Sequence, residues 1–256
     1  MPFTLAHPAA VLPLRGLRYL RTAPLIIGAM VPDFPYYVPG NLARYAVGNH
    51  TLIGSFTSDL ALGYAALAAA FLLRRPLTAL LSARARGLCL AALAPFRARP
   101  REWLFAPLAI LLGVWTHLLW DSFTHLDGWV VRRVAALSAP VTIGAYNGPL
   151  CHLLQYLSSV FGLAVMALWY TRLSVAPAAP ASHESARSSS GPALLLVAAA
   201  AILIGGVQAA EFFQHTPNIY RMLNILLTRS LAWFGLLYLV AGTIVTLEQV
   251  HARVSG

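Results

Sequence analysis

The chain has 256 residues, 59% of them hydrophobic and only 10% charged, far from the roughly half-apolar, quarter-charged make-up of water-soluble domains, so an ordinary soluble globular protein is excluded. The net charge of +10 does not point to nucleic acid, because the arginines stand between hydrophobic runs and form no basic stripe interleaved with aromatics.

The first 31 residues contain an apolar run, Ala23 to Val31, bracketed by Pro24 and Pro32. It falls short of the roughly 18 apolar residues a spanning helix needs, and it reads as a buried or re-entrant segment. Arg15, Arg18 and Arg21 follow the first apolar residues instead of preceding them, which is not the order of a signal peptide. Thr51 to Leu73, Trp103 to Trp120, Leu153 to Tyr170 and Ala193 to Ala210 pass the length test, and Leu231 to Leu247 is a slightly shorter fifth. The expected fold class is all-α: a polytopic membrane helical bundle of about five transmembrane helices plus the N-terminal segment.

Residues 174–192, SVAPAAPASHESARSSSGP, have the composition of a flexible linker. The expected organisation is an N-terminal membrane domain over 1–172, a linker over 173–192 and a two-helix membrane segment over 193–256. Arg74, Arg75, Arg84, Arg86, Arg97, Arg99 and Arg101 lie between the first two spans. Positive-inside bias assigns that stretch to the cytoplasm and the 126–151 loop to the far side, although Arg15, Arg18, Arg21 and Arg44 pull the other way. Cys89 and Cys151 make no CxxC pair, and no disulfide is expected.

All four Asp, together with His7, His50, His117 and His125, lie before residue 128. Several fall in or at the ends of predicted spans, where ionisable groups are rare and commonly functional. In Thr116-His117-Leu-Leu-Trp-Asp121-Ser-Phe-Thr124-His125, three potential ligands share roughly 80° of one helical face. Imidazole nitrogen and carboxylate oxygen suit zinc and related divalent ions, and an i, i+4 pair puts two donors within reach of one ion. Such a pair can equally hydrogen-bond to itself. Antiparallel packing of the first two spans brings His50, in Gly48-Asn49-His50-Thr51, to the level of His117. Asp59 lies about two turns into the first span, as a partner for a ligand or a protonated group, whereas Ser55 and Ser58 read as helix packing. Asp33 stands between Pro32 and Pro35 on a rigid turn, and His7 is solitary. His152, Gln155 and Ser159 form a polar face on the third span, suited to completing a site or to interhelical hydrogen bonding.

The order His7, Asp33, His50, His117-xxx-Asp121, His125 resembles the ligand order of the zinc-dependent phospholipase C and single-strand nuclease superfamily, which are all-helical phosphodiesterases. The segments MPFTLAHPAAVLPL, GAMVPDFPYY, NHTLIGSFTSDLALG, THLLWDSFTHLDGW and LLQYLSSVFGL also look like an uncharacterised bacterial integral-membrane family. That family is similar in turn to the LexA-binding, inner-membrane-associated putative metal-dependent hydrolases. The resemblance implies that Asp33, His50, His117 and Asp121 surround one metal, that Asp121 bridges to a second bound by His7, and that His125 belongs to a further position. Two features of the phospholipase pattern differ: the chain begins Met1-Pro2 where the soluble enzymes use an N-terminal Trp ligand, and His152-Leu-Leu-Gln155-Tyr156 lacks the carboxylate of their final motif. One or two ions, zinc first, are therefore expected instead of three.

The functional expectation is a metal-dependent hydrolase of the bacterial inner membrane, acting on a phosphoester or phospholipid-like substrate at the extracytoplasmic edge of the bilayer. Asp33 or Asp59 is expected to take the proton from water activated by the ion. Trp115, Trp120 and Trp129 lie where an aromatic belt would seat lipid headgroups. The alternative expectation is a non-enzymatic membrane protein, either a metal-binding scaffold or a small transporter. A transporter should place its site near the midplane, whereas these residues gather toward one face.

Overall fold

The computed structural model describes residues 4–37, 48–144, 146–173, 190–215 and 219–255. Met1, Arg44 and nearly all of the expected linker lie outside the described residues, although residues 190–192 open a helix. Among the described residues, five helices are long and apolar enough to cross a membrane: Leu52–Leu72, Arg101–Thr124, Leu150–Arg172, Gly191–His215 and Arg221–Ala252. The fold is an all-α polytopic bundle with one small hairpin.

A 3-10 stretch, Thr4–Gly16, begins the described chain. Pro8 and Pro13 fall inside it, and each removes a backbone donor that an α-helix would need. Helix α1 follows at Thr22–Met30 and runs on into a 3-10 turn, Val31–Tyr37, that carries Asp33. The spanning helix α2, Leu52–Leu72, contains a π-turn over Ser55–Asp59. Hydroxyls there bond back to the preceding turn, Ser55 Oγ to Leu52 O at 2.6 Å and Ser58 Oγ to Gly54 O at 3.3 Å, a pattern that competes with regular helix bonding. Then come α3 (Arg74–Ala79), α4 (Ala83–Ala98) and α5 (Arg101–Thr124). The short α6 (Ala135–Ser138) precedes an antiparallel hairpin, β1 (Pro140–Ile143) and β2 (Tyr146–Pro149), with Gly144 at φ 58° in its turn. The chain ends with α7 (Leu150–Arg172), α8 (Ser190–His215) and α9 (Ile219–Val254).

The chain divides into two compact units. In the first, comprising 1–34, 46–67 and 99–173, α5 is the central helix. Its contact with α1 is the tightest in the unit: a Cβ on Gly28 would strike the Ile110 carbonyl, and one on Gly113 the Leu25 carbonyl. Leu25, Ala29, Val31, Ala109, Ile110 and Val114 are fully buried along this seam. Small residues that let backbones approach closely are how helices pack where lipid removes any hydrophobic drive between them. The bidentate Arg21–Glu102 pair, at 2.6 and 2.7 Å, ties the starts of α1 and α5. On another side α2 runs antiparallel to α5, joined by Trp115 Nε1 to Ser55 Oγ at 3.0 Å and Tyr64 OH to Trp103 O at 3.4 Å. Helix α7 packs on the N-terminal 3-10 stretch and on α5 through Trp120 Nε1 to Ser158 Oγ at 3.0 Å.

The second unit comprises 35–45, 68–98 and 174–256. Within it α9 packs along α8, and α3 lies on α9 through Tyr238 OH to Leu77 O at 2.8 Å. Residues 68–98 belong to this unit, with Arg74–Ala79 packed on α9.

Candidate functional site

The site is built where four stretches of the first unit meet on one turn of α5. From α5 come His117 and Asp121, one helical turn apart, with His117 Nε2 3.2 Å from Asp121 Oδ2. Helix α1 orients His117, whose Nδ1 lies 2.9 Å from the Ala29 carbonyl oxygen. Since a carbonyl only accepts, Nδ1 carries a proton, and Nε2 is the nitrogen turned into the site.

The 3-10 turn after α1 delivers Asp33. Its Oδ2 accepts the Thr4 hydroxyl at 2.5 Å, and its Oδ1 lies 3.4 Å from His50 Nε2 and 3.8 Å from His117 Nε2. His50 stands in the turn before α2, with its Nε2 also 3.7 Å from Asp121 Oδ2. His7, from the N-terminal stretch, stacks on His117 with ring centroids 3.9 Å apart and puts Nε2 3.7 Å from Asp121 Oδ1. Asp121 thus faces His117 and His50 with one oxygen and His7 with the other. His125 caps the C-terminus of α5, its Nδ1 3.5 Å from Asp121 Oδ1 and its Nε2 3.0 Å from the Gln155 amide nitrogen of α7.

Two overlapping triplets, His7–Asp33–His117 and His50–His117–Asp121, each offer three donor atoms lying within 4.8 Å of one another. Most of these nitrogen–oxygen separations are long for hydrogen bonds. Donors about 2.0–2.1 Å from a common tetrahedral centre lie roughly 3.3 Å apart. Among the described residues, both nitrogens of His7, Nε2 of His117 and Oδ1 of Asp121 are buried without a hydrogen-bond partner. Each such atom costs free energy unless something else satisfies it.

Burial foremost, and then the neighbouring His117, hold the His7 imidazole far below its ordinary value, at about 3, against the opposing pull of Asp121 and Asp33. His7 is therefore neutral near pH 7, the form that offers a lone pair. Burial would raise the Asp33 carboxyl, but the His50 hydrogen bond, the His117 charge and the Thr4 hydroxyl outweigh it and hold the group below the usual carboxylate value.

The remaining sequence candidates lie outside these ion pairs. Asp59 is buried in the π-turn, both its oxygens lack hydrogen-bond partners among the described residues, and the ion pairs that join the cluster do not include it. His152 is half-buried at the start of α7 and is likewise outside those pairs. Ser159 bonds within its own helix, to Gln155 O at 2.7 Å. Of the three tryptophans, Trp115 and Trp120 are tied into the bundle by their indole N–H groups, and Trp129 is exposed with Arg133 stacked 3.9 Å from its ring centroid. Thr4 and the Ala29 carbonyl were not legible as site groups: a lone hydroxyl and a backbone oxygen carry no spacing signal. Gly28 and Gly113, small residues inside apolar runs, carried a weak one.

The stretch that supplies these side chains, from His7 to Gln155, lies inside a single family match covering residues 1–247. The chain belongs to the DUF4184 family, a domain of unknown function. No curated protein and no solved structure matches this DUF4184 chain.

Proposed function

We propose that this DUF4184 protein is a membrane-embedded, metal-dependent hydrolase of phosphoesters, with the His7, Asp33, His50, His117 and Asp121 cluster holding one or two divalent ions, zinc first. The observation that carries the reading is the set of buried, unsatisfied atoms on His7, His117 and Asp121, with His7 from the N-terminal stretch and Asp33 from the turn after α1 brought within 3.7–3.8 Å of the His117 and Asp121 pair on α5. Three further features support a cation there. Two carboxylates, Asp33 and Asp121, carry the charge that one divalent ion balances. The nitrogen and oxygen donor set suits zinc. The Ala29 carbonyl behind His117 is the kind of outer partner that fixes a ligating imidazole.

A divalent ion held there supplies Lewis-acid polarisation of a phosphoryl oxygen and an acidified water nucleophile. In the reaction the water oxygen ends on phosphorus, the P–O bond to the leaving group breaks, and a proton ends on the departing alcohol. His50 and His125 are the partly exposed cluster imidazoles, at 30% and 28%, which makes theirs the side on which a substrate could enter. Asp33, held at Oδ2 by Thr4, is the first choice of carboxylate to receive the proton, because it is within 3.4–3.8 Å of two cluster imidazoles; Asp59 is the second. Gln155 donates to His125 Nε2, which turns the His125 proton on Nδ1 toward Asp121 and makes His125 a positioning partner for that carboxylate.

The likeness in ligand order to the phospholipase C superfamily and to the LexA-binding inner-membrane hydrolases belongs to this proposal, as does the bacterial inner membrane with the site on its extracytoplasmic side. The test is metal analysis of the purified protein beside a His117→Ala, Asp121→Ala double variant, with phosphodiester turnover measured before and after chelation. The expected result is metal in the wild type alone, and turnover lost to chelator and restored by zinc or manganese. Metal retained by the double variant would remove the site, and metal without turnover would leave a metal-binding scaffold.

A further inference from the structure

Beside the cluster, in the same unit, lies a cavity of about 470 Å³ walled by Ala10, Leu119, Trp120, Phe123, Leu154 and Leu157, a size within the roughly 300–1,000 Å³ of ligand pockets. It also touches Thr116, Thr124 and Ser158, but each of these hydroxyls already spends its one proton within the protein. Thr116 Oγ1 donates to Gly113 O at 2.7 Å and Thr124 Oγ1 to Trp120 O at 3.3 Å; Ser158 Oγ donates to Gln155 O at 3.3 Å and accepts from Trp120. The wall is thus hydrocarbon in effect, and a sugar or nucleotide would lose its water there without replacement.

Two observations say what fills it. The groove lies between α5 and α7, both long and apolar enough to span a membrane. Its outer edge is made by Leu119, Phe123 and Leu157, exposed by 62%, 44% and 59%, so it is continuous with the surface these helices turn to lipid. Its inner end reaches the cluster: the Trp120 ring meets His7 edge-on at 5.4 Å, and Thr124 Oγ1 lies 3.3 Å from His125 Nδ1.

We infer that this groove holds the hydrocarbon chain of a membrane lipid whose phosphate-bearing head lies at the His/Asp cluster, which makes the substrate class lipid phosphoesters. The placement of the head rests on the hydrolase reading above; the seating of the chain rests on the groove alone. Because a lipid tail leaves one apolar medium for another, the groove adds register more than affinity: it fixes how far the head can slide past the cluster.

The test uses the full chain in nanodiscs containing phosphatidylglycerol with a photoreactive diazirine on one acyl chain. Labelled peptides are mapped, and hydrolysis of the same lipid is compared with that of water-soluble bis(p-nitrophenyl) phosphate. Labelling is expected to concentrate on Leu119, Phe123, Leu154 and Leu157. It should fall roughly tenfold or more, the equivalent of about 1.4 kcal/mol, when Ala10→Phe and Leu157→Trp fill the groove. Leu203→Trp, on the exposed face of α8, should leave both the labelling and the hydrolysis of the soluble ester unchanged. Labelling spread evenly over all lipid-facing helices of the wild type would overturn the inference with no variant needed. Soluble-ester hydrolysis with an unlabelled groove removes the lipid site and leaves the hydrolase; a labelled groove with neither ester cleaved leaves the lipid site and removes the hydrolase.

Discussion

The sharpest consequence of the cluster concerns Asp121→Asn, a substitution that keeps shape and volume and removes one charge. Asp121 uses both oxygens: Oδ2 faces His117 at 3.2 Å and His50 at 3.7 Å, while Oδ1 faces His125 at 3.5 Å and His7 at 3.7 Å. An asparagine retains one acceptor and replaces the other with an amide nitrogen that cannot ligate. Loss of an outer partner alone costs roughly 10- to 100-fold in metal affinity. Loss of a direct donor and its charge should therefore cost at least about 100-fold, or about 2.8 kcal/mol. The assay is competition for zinc against a chromophoric chelator, in detergent-solubilised protein, at fixed pH. The protein should lose metal without unfolding, because asparagine can still bond to His117. Zinc affinity within about threefold of wild type, a difference well under 1 kcal/mol, would refute the claim that Asp121 is the shared ligand.

Asp59→Asn makes the matching control: it should leave zinc affinity unchanged in the same competition assay and leave or raise the unfolding temperature, since the carboxylate it removes is buried without a hydrogen-bond partner among the described residues. Gly113→Leu forces side-chain volume against the Leu25 carbonyl; overpacking of this kind costs roughly 1–3 kcal/mol, and a scanning-fluorescence melt should fall while zinc binding weakens with it, because α1 also carries the Ala29 carbonyl. Zinc at a hundred times its dissociation constant should stabilise the wild type by about 2.7 kcal/mol and the Asp121→Asn protein far less, read as the shift in melting temperature. In metal-free protein, His7 is held at about 3 against 6.5 in the unfolded chain, so between those values the unfolded chain binds the extra proton and stability falls as pH falls. The melting temperature should therefore drop from pH 6.5 toward pH 4 and do so less steeply in His7→Asn; identical slopes would show that His7 is not the buried neutral group described.

The parts of the site visible in the sequence were those written in a period. His117, Asp121 and His125 announce themselves by four-residue spacing, and antiparallel pairing of two apolar runs was enough to bring His50 to their level. The five spanning helices were legible for the same reason, from length and hydropathy. Their ends were not: α5 runs to Thr124, past the polar residues that a hydropathy rule trims, and those are the residues that form the site. His7 carried no signal by itself, because its meaning depends on a proline-broken 3-10 stretch folding back on α5, a contact made by tertiary packing alone. The π-turn over Ser55–Asp59, the 140–149 hairpin and the pairing of 68–98 with the C-terminal helices were equally invisible to periodicity.

The glycine seam explains why such a cluster can sit in an apolar bundle. Donor atoms must be held to within a fraction of an ångström for one ion to satisfy them, yet helices in lipid have only packing to hold them. Gly28 and Gly113 bring α1 against α5 at backbone distance, which leaves no room for sliding, and Ala29 O then fixes the His117 ring while Asp33 follows within four residues. Close approach of two backbones is thus converted into the placement of two donors, His117 on α5 and Asp33 in the turn after α1. A looser seam would keep the membrane fold and lose the convergence, so the two glycines belong to the site as much as the side chains they position.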